Sequence, residues 1–306
     1  QASYHLHQNY FMMNKAILVI GFMIMISVSC KKTEKSDNLL LSEYDTPFGV
    51  PPFELIKASH FMPAFLKGFE EQKLAVRKII ADTSEPDFVN TIKALEYSGE
   101  LLTRVSRIFG SLNSAHTNDT LQAISREIAP LSARHRDDIN LNDTLFRKVK
   151  TVYENRSKFR LTEEEKMVLE DTYRGFVRSG AALSQDDKAK LRKLNEELSL
   201  LSVQFGQNLL AETNAFRLVI DRHEDLAGLP DGIVEQAAAL AKNMNLEGKW
   251  VFTIQYPIME PFLKYAENRK LREKLFTAYF MKGDNDNERD NKSIICCPFR
   301  CHYHLS

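Results

Sequence analysis

From Ser59 onward the apolar residues recur at steps of three and four, and this spacing limits the fold more than any other feature of the chain. Leu191, Leu194, Leu198, Leu201, Phe205 and Leu209 place one apolar stripe along a helix. Phe88, Ile92, Leu95, Leu102, Val105 and Phe109 trace a second face. Leu121, Ile124, Ile128 and Leu131 trace a third, with Pro130 expected to mark its end. Thr162-x-x-Glu165 and Ser184-x-x-Asp187 read as capping boxes, and Leu169, Tyr173 and Phe176 continue from the first of them. The acidic run 163–165 falls at that helix start, where negative charge complements the helix dipole. The segment 262–280 reads as one further helix.

Two stretches break the pattern. Residues 216–220 and 249–256 are short, rich in β-branched or aromatic residues, and bounded by Pro230, Gly248 and Pro257. They are expected to pair as a small ribbon, with a helix over 231–245 between them. No period of 20 to 50 residues repeats, which sets aside a solenoid. The fold class is therefore mainly α, a multi-helix body over 46–295 with a two-stranded β ribbon.

The ends differ from this body. Residues 1–12 show no periodicity and read as an extraneous leader. Lys15 then precedes an apolar run of 13 residues over 16–28, followed by Ser29 and Cys30. That run is too short to cross roughly 30 Å of hydrocarbon as a helix. It suits the apolar region of a signal peptide over 13–29. A cysteine after small residues at the end of such a run resembles the lipobox of bacterial lipoproteins, with Val28-Ser29 standing where a stricter motif has Ala-Gly. Cys30 is thus the expected lipidation site, and 30–45 a polar tether. The expected location is the periplasmic side of the cell envelope, held to the membrane through that lipid. At the other end, Cys296, Cys297, Cys301, His302 and His304 lack the spacing of a zinc knuckle, and 296–306 reads as an aberrant tail.

Function classes are narrowed by exclusion. Lys+Arg and Asp+Glu number 41 each, which argues against nucleic acid as a partner. Residues 31–295 contain no cysteine, so the body offers no thiol nucleophile and needs no disulfide. There is no G-x-S-x-G, P-loop, G-x-G-x-x-G or H-E-x-x-H motif. His60, His116, His135 and His223 stand singly on different segments. Glu96 and Glu100 are one turn apart, but with Lys93 and Arg104 nearby they read as a solvated ion-pair ladder. No catalytic or metal-binding residue is assigned, and nothing calls for an obligate oligomer.

The wording of the body is more specific than its periodicity. Thr46-Pro-Phe-Gly, Pro51-Pro-Phe and His60-Phe-Met-Pro-Ala-Phe resemble the opening of bacterial peptidyl-dipeptidases of the thimet oligopeptidase family. Phe88-Val-Asn-Thr-Ile-Lys-Ala-Leu-Glu, Ser98-Gly-Glu-Leu-Leu-Thr-Arg-Val, Leu112-Asn-Ser-Ala and Arg126-Glu-Ile-Ala-Pro fit the same family. Gly175-Phe-Val-Arg-Ser-Gly-Ala, Leu194-Asn-Glu-Glu-Leu-Ser, Phe205-Gly-Gln-Asn and the stretch 283–291 continue it. The resemblance implies a two-lobed helical shell around a deep channel that admits short peptides. It implies one zinc, bound through H-E-x-x-H and a downstream glutamate, whose water attacks the peptide carbonyl. None of those ligands has a counterpart here, so the expectation is the amino-terminal half of such a metallopeptidase, truncated and inactive alone. The alternative is a non-catalytic helical lipoprotein that binds peptides or a partner protein.

Overall fold

The computed structural model describes residues 38–295. Helix dominates, and the two strands pair as expected. The first helix, α1 (Phe61–Ala81), carries Pro63 in its first turn, where no intrahelical N–H is required. After it come α2 (Glu100–Ala115), α3 (Asp119–Asn140), α4 (Asp143–Glu154), α5 (Glu163–Arg178) and the long α6 (Gln185–Ala215). Strand β1 (Leu218–Ile220), helix α7 (Asp231–Asn243) and strand β2 (Trp250–Phe252) follow, then α8 (Tyr256–Tyr265) and α9 (Arg269–Phe280). The strands are antiparallel with Leu218 opposite Phe252 and Ile220 opposite Trp250.

Local chemistry sets most boundaries. Thr162 and Glu165 form a reciprocal capping box at α5: the Glu165 N–H donates to Thr162 Oγ1, and the Thr162 N–H donates to Glu165 Oε2. At α6 only half of the expected box forms. The Asp187 N–H donates to Ser184 Oγ, whose own hydroxyl donates to Asp187 Oδ2. Asn118 and Asn142 cap α3 and α4 in the same manner.

Three sequence expectations are corrected. Pro130 lies inside α3, which runs on to Asn140. Burial of Ile128 on one side of it and Ala133 on the other offsets the lost hydrogen bond. The segment 262–280 is two helices, because the Asn268 side chain accepts from the N–H groups of Lys270 and Leu271 and starts a new one. The residues 88–109 do not share one face. A π turn (Phe88–Lys93) and a 3-10 turn (Tyr97–Gly99) break the register, so Phe88 and Ile92 enter one core while Val105 and Phe109 enter another.

The tether expected over 30–45 also ends sooner than the sequence suggests. Leu40 is fully buried beside Phe61 and Phe65, Arg104 donates to its carbonyl, and Asn38 donates to the carbonyl of His60. The packed body therefore reaches back to residue 38. The remaining tether, the lipidation site Cys30, the leader and the 296–306 tail lie outside the described residues.

Three cores hold the body. One joins α1, α2 and α3 around Val105, Phe61, Phe65 and Phe109, and the Phe109 ring meets those of Phe61 and Phe65 edge to face. A second joins the end of α1 to α4 and α5 through Ile79, Ile92, Leu145, Val149, Val152 and Leu169. The third packs the ribbon on α7, α8 and α9 through Phe252, Ile254, Phe262 and Leu275. Between them, α6 lies along α3 and is held largely by polar pairs: Arg134 with Glu196, Arg192 with Asp138, and Asn195 with Asp137. The leucines that made α6 the clearest helix in the sequence are only partly covered, and Leu198 is 46% exposed.

Candidate functional site

The loop that follows α9 wraps back onto the end of α6, and a buried carboxylate holds it there. Glu212 accepts the Gly283 N–H at 2.6 Å, the Asn287 amide at 2.8 Å and the Asn285 amide at 3.1 Å. Burial pushes the Glu212 carboxyl up, but those donors outweigh it and hold the group below the usual glutamate range. Gly283 has φ +75°, and an added Cβ would meet Asn291 Nδ2 at 2.8 Å and Leu209 Cδ2 at 3.1 Å, so only glycine fits. Asn291, almost wholly buried, donates to the Phe205 carbonyl and accepts from Asn208. Two remote segments that carry the family resemblance, 205–208 and 283–291, therefore meet in space. In the same loop the Lys292 ammonium pairs with two carboxylates, 2.8 Å from Asp284 and 2.6 Å from Asp286.

Beside this loop opens a cavity of about 990 Å³, bounded by the end of α6, the start of β1 and one face of α9. Phe216, Ala215 and Ala278 give it apolar walls, with the buried Leu218 and Ile254 behind them. Arg217, Lys270, Lys274 and Arg289 line it as cations, against Glu212 and Glu273. Since Glu212 is already engaged by the loop donors, positive charge is in excess. Pockets of roughly 300–1,000 Å³ are the size that encloses small organic ligands or short peptide segments.

The residues weighed in the sequence are scattered. His60 accepts the Lys57 N–H through Nδ1 and so caps a turn. His116 ends α2 in solvent, and His223 rests its ring edge against Trp250. His135 is buried, bonded through Nε2 to Gln72 Oε1 at 2.7 Å, with its ring 4.7 Å from Phe69. Burial, then the Lys73 charge, lower its pKa. Glu96 and Glu100 form no ladder with Lys93 and Arg104. The Arg104 side chain turns instead to the Leu40 carbonyl and the Tyr44 ring, and the two glutamates border a separate cavity of about 840 Å³. Among the described residues no three His, Cys, Asp or Glu side chains gather as a metal site. The zinc expected from the resemblance thus finds no fitting donor set in residues 38–295.

The Glu212 anchor and the cationic cavity escaped the sequence reading. The one visible trace of the cavity was Lys270 and Lys274, like charges four apart on one helix face, a spacing that repels unless something negative lies between.

No family model matches the chain. It is 36% identical over 258 residues to the dipeptidyl carboxypeptidase of Escherichia coli (strain K12), covering 84% of this chain and 38% of that protein. It is likewise 36% identical over 264 residues to the dipeptidyl carboxypeptidase of Salmonella typhimurium, covering 85% of this chain and 38% of the relative. To oligopeptidase A of Salmonella typhimurium it is 25% identical over 254 residues, 82% of this chain and 37% of that protein. The chain spans well under half the length of these relatives, and over its matched residues it belongs with the peptidases of the thimet oligopeptidase family.

Proposed function

We propose that residues 38–295 form a helical wall of a peptidase that hydrolyses short peptides, releasing dipeptides from the carboxy terminus. The observation that carries this reading is the 36% identity to dipeptidyl carboxypeptidases over 84% of the chain. The junction of 205–208 with 283–291 through Asn208, Asn291 and Gly283 supports it, because it gives the resembling segments a shared structural purpose. In this reading the zinc ligands and the general base belong to sequence other than residues 38–295. A wall of this kind supplies shape and charge to a channel and leaves the bond-breaking to the metal lobe. Exposed aromatic residues on α8 and α9, Tyr256 at 64% and Phe280 at 63%, suit a body that packs against further protein.

The test is a chimera in which residues 46–280 replace the matching segment of the Escherichia coli dipeptidyl carboxypeptidase. Dipeptide release within about tenfold of the parent kcat/KM is expected, a loss of ~1.4 kcal/mol or less in transition-state stabilisation. A folded chimera that releases no dipeptide would count against the reading.

The same proposal places the protein outside the inner cell membrane, tethered by lipid at Cys30. The support is the sequence alone: Lys15, the 13-residue apolar run and the small residues before Cys30. Among the described residues no helix is long and apolar enough to cross a membrane. One acyl chain holds a protein only marginally, so stable anchoring needs more than one on this cysteine. Replacing Cys30 with Ala should move the protein from the membrane fraction to the soluble fraction. Unchanged partitioning of Cys30→Ala would remove the lipid anchor from the proposal.

A further inference from the structure

The geometry points to a binding site for acidic peptides in the cavity between α6, β1 and α9, a site of its own and not the zinc centre. Lys270 and Lys274 stand one turn apart on the exposed face of α9 and line the cavity together. Neither forms an ion pair among the described residues, although Glu273 lies between them in sequence. Arg217 reaches the same space from the start of β1. Its Nη1 donates to the Phe216 carbonyl at 2.6 Å, while its Nε is buried with no hydrogen-bond partner. The Arg217 guanidinium has no carboxylate partner, and a ligand carboxylate in the cavity would supply one. Three cations without carboxylate partners beside one apolar wall define an occupant that is anionic and partly apolar.

A peptide satisfies this better than an inorganic anion on two grounds. The half-buried Phe216, with Ala215 and Ala278 beside it, offers apolar surface that phosphate or sulfate cannot use. Leu218 also begins β1, a strand that pairs only with β2, so its other edge is unpaired among the described residues and suits an extended backbone. The carboxylates would sit on Lys270, Lys274 and Arg217, and apolar side chains would pack on Phe216, Ala215 and Ala278.

Binding is read without hydrolysis, so failure here leaves the peptidase reading standing, and failure of that reading leaves this one testable. The probe is a fluorescein-labelled peptide of alternating Glu and Leu, with amidated ends, titrated with the 306-residue chain and followed by anisotropy. The same peptide with Gln for Glu should bind at least tenfold more weakly. The double variant Lys270→Gln/Lys274→Gln changes only exposed side chains and should retain its circular dichroism and melting temperature. It should also lose at least tenfold in affinity for the Glu peptide, and Glu273→Gln should gain two- to threefold. Equal binding of the Glu and Gln peptides, or an unaffected double variant, would overturn the site. Displacement of the peptide by inorganic phosphate at the concentration that displaces it with unlabelled peptide would overturn the peptide assignment.

Discussion

Residues 31–295, purified and supplied with zinc, should hydrolyse a quenched short peptide no faster than buffer, and elemental analysis should find no stoichiometric metal. Zinc peptidases need two or three positioned ligands to hold the ion, and a bound water whose pKa is brought to about 7. Without those parts a peptide bond loses the larger share of an acceleration that is typically 10⁶-fold or more. The histidines of the body are committed elsewhere or stand apart: His60 caps a turn, His135 is bonded to Gln72 in a core, and His223 lies against Trp250. No gathering of metal-binding side chains occurs among the described residues. Chelator-sensitive turnover in a preparation purified to constant specific activity would overturn this expectation and place the chemistry within the chain.

Replacing Glu212 with Ala should destabilise the body by about 2–4 kcal/mol, because a buried N–H and two amides lose one charged acceptor. In a body of this size that lowers the melting temperature by on the order of 8 °C. The Gly283 N–H is buried and would be left unpaired, whereas the Asn285 and Asn287 amides stand at the surface and would turn to water. The Gly283 amide should therefore lose protection from hydrogen exchange ahead of the α9 amides. The pH dependence follows from linkage. The folded carboxyl titrates below its unfolded value, so the unfolded chain binds more protons in that window. The Glu212 contribution is fully present above the unfolded value of about 4.3 and is lost as pH falls through the folded one. Glu212→Gln should accordingly lower stability near neutral pH and flatten the acid limb between those two values. A melting temperature and acid limb both unchanged in Glu212→Ala would show that the loop is held by other contacts.

Much of the architecture is legible in the sequence. The ribbon is the clearest case: 216–220 and 249–256 contain the observed strands, with α7 inside the expected 231–245. Both elements are short and bounded by Pro or Gly, and β-branched or aromatic residues favour a half-buried pleat. Thr162 and Glu165 were equally readable, since a capping box is satisfied within four residues and needs no distant partner. The family resemblance was readable for a related reason: it rests on residue identities in order along the chain.

Features settled by distant packing were not readable. Pro130 reads as a helix stop because its local cost is about 3 kcal/mol, yet burial on both sides carries α3 through it. The π turn at Phe88–Lys93 splits one apparent apolar face between two cores, and periodicity has no means to signal a register slip. Leu40 reads as tether until Phe61 and Phe65 are placed beside it. Lys93, Glu96, Glu100 and Arg104 have the spacing of an ion-pair ladder, but the Leu40 carbonyl and Tyr44 ring claim the arginine. The candidate site belongs wholly to this second class, since Arg217 meets Lys270 only when the ribbon packs on α9, and Gly283 reaches Glu212 only when the following loop folds back onto α6. The chain by itself determined helix, ribbon, caps and kinship, because each depends on neighbours in sequence. Tertiary structure alone decided the Glu212 anchor, the cationic cavity and the division into three cores, because each depends on which buried group finds which partner across the fold.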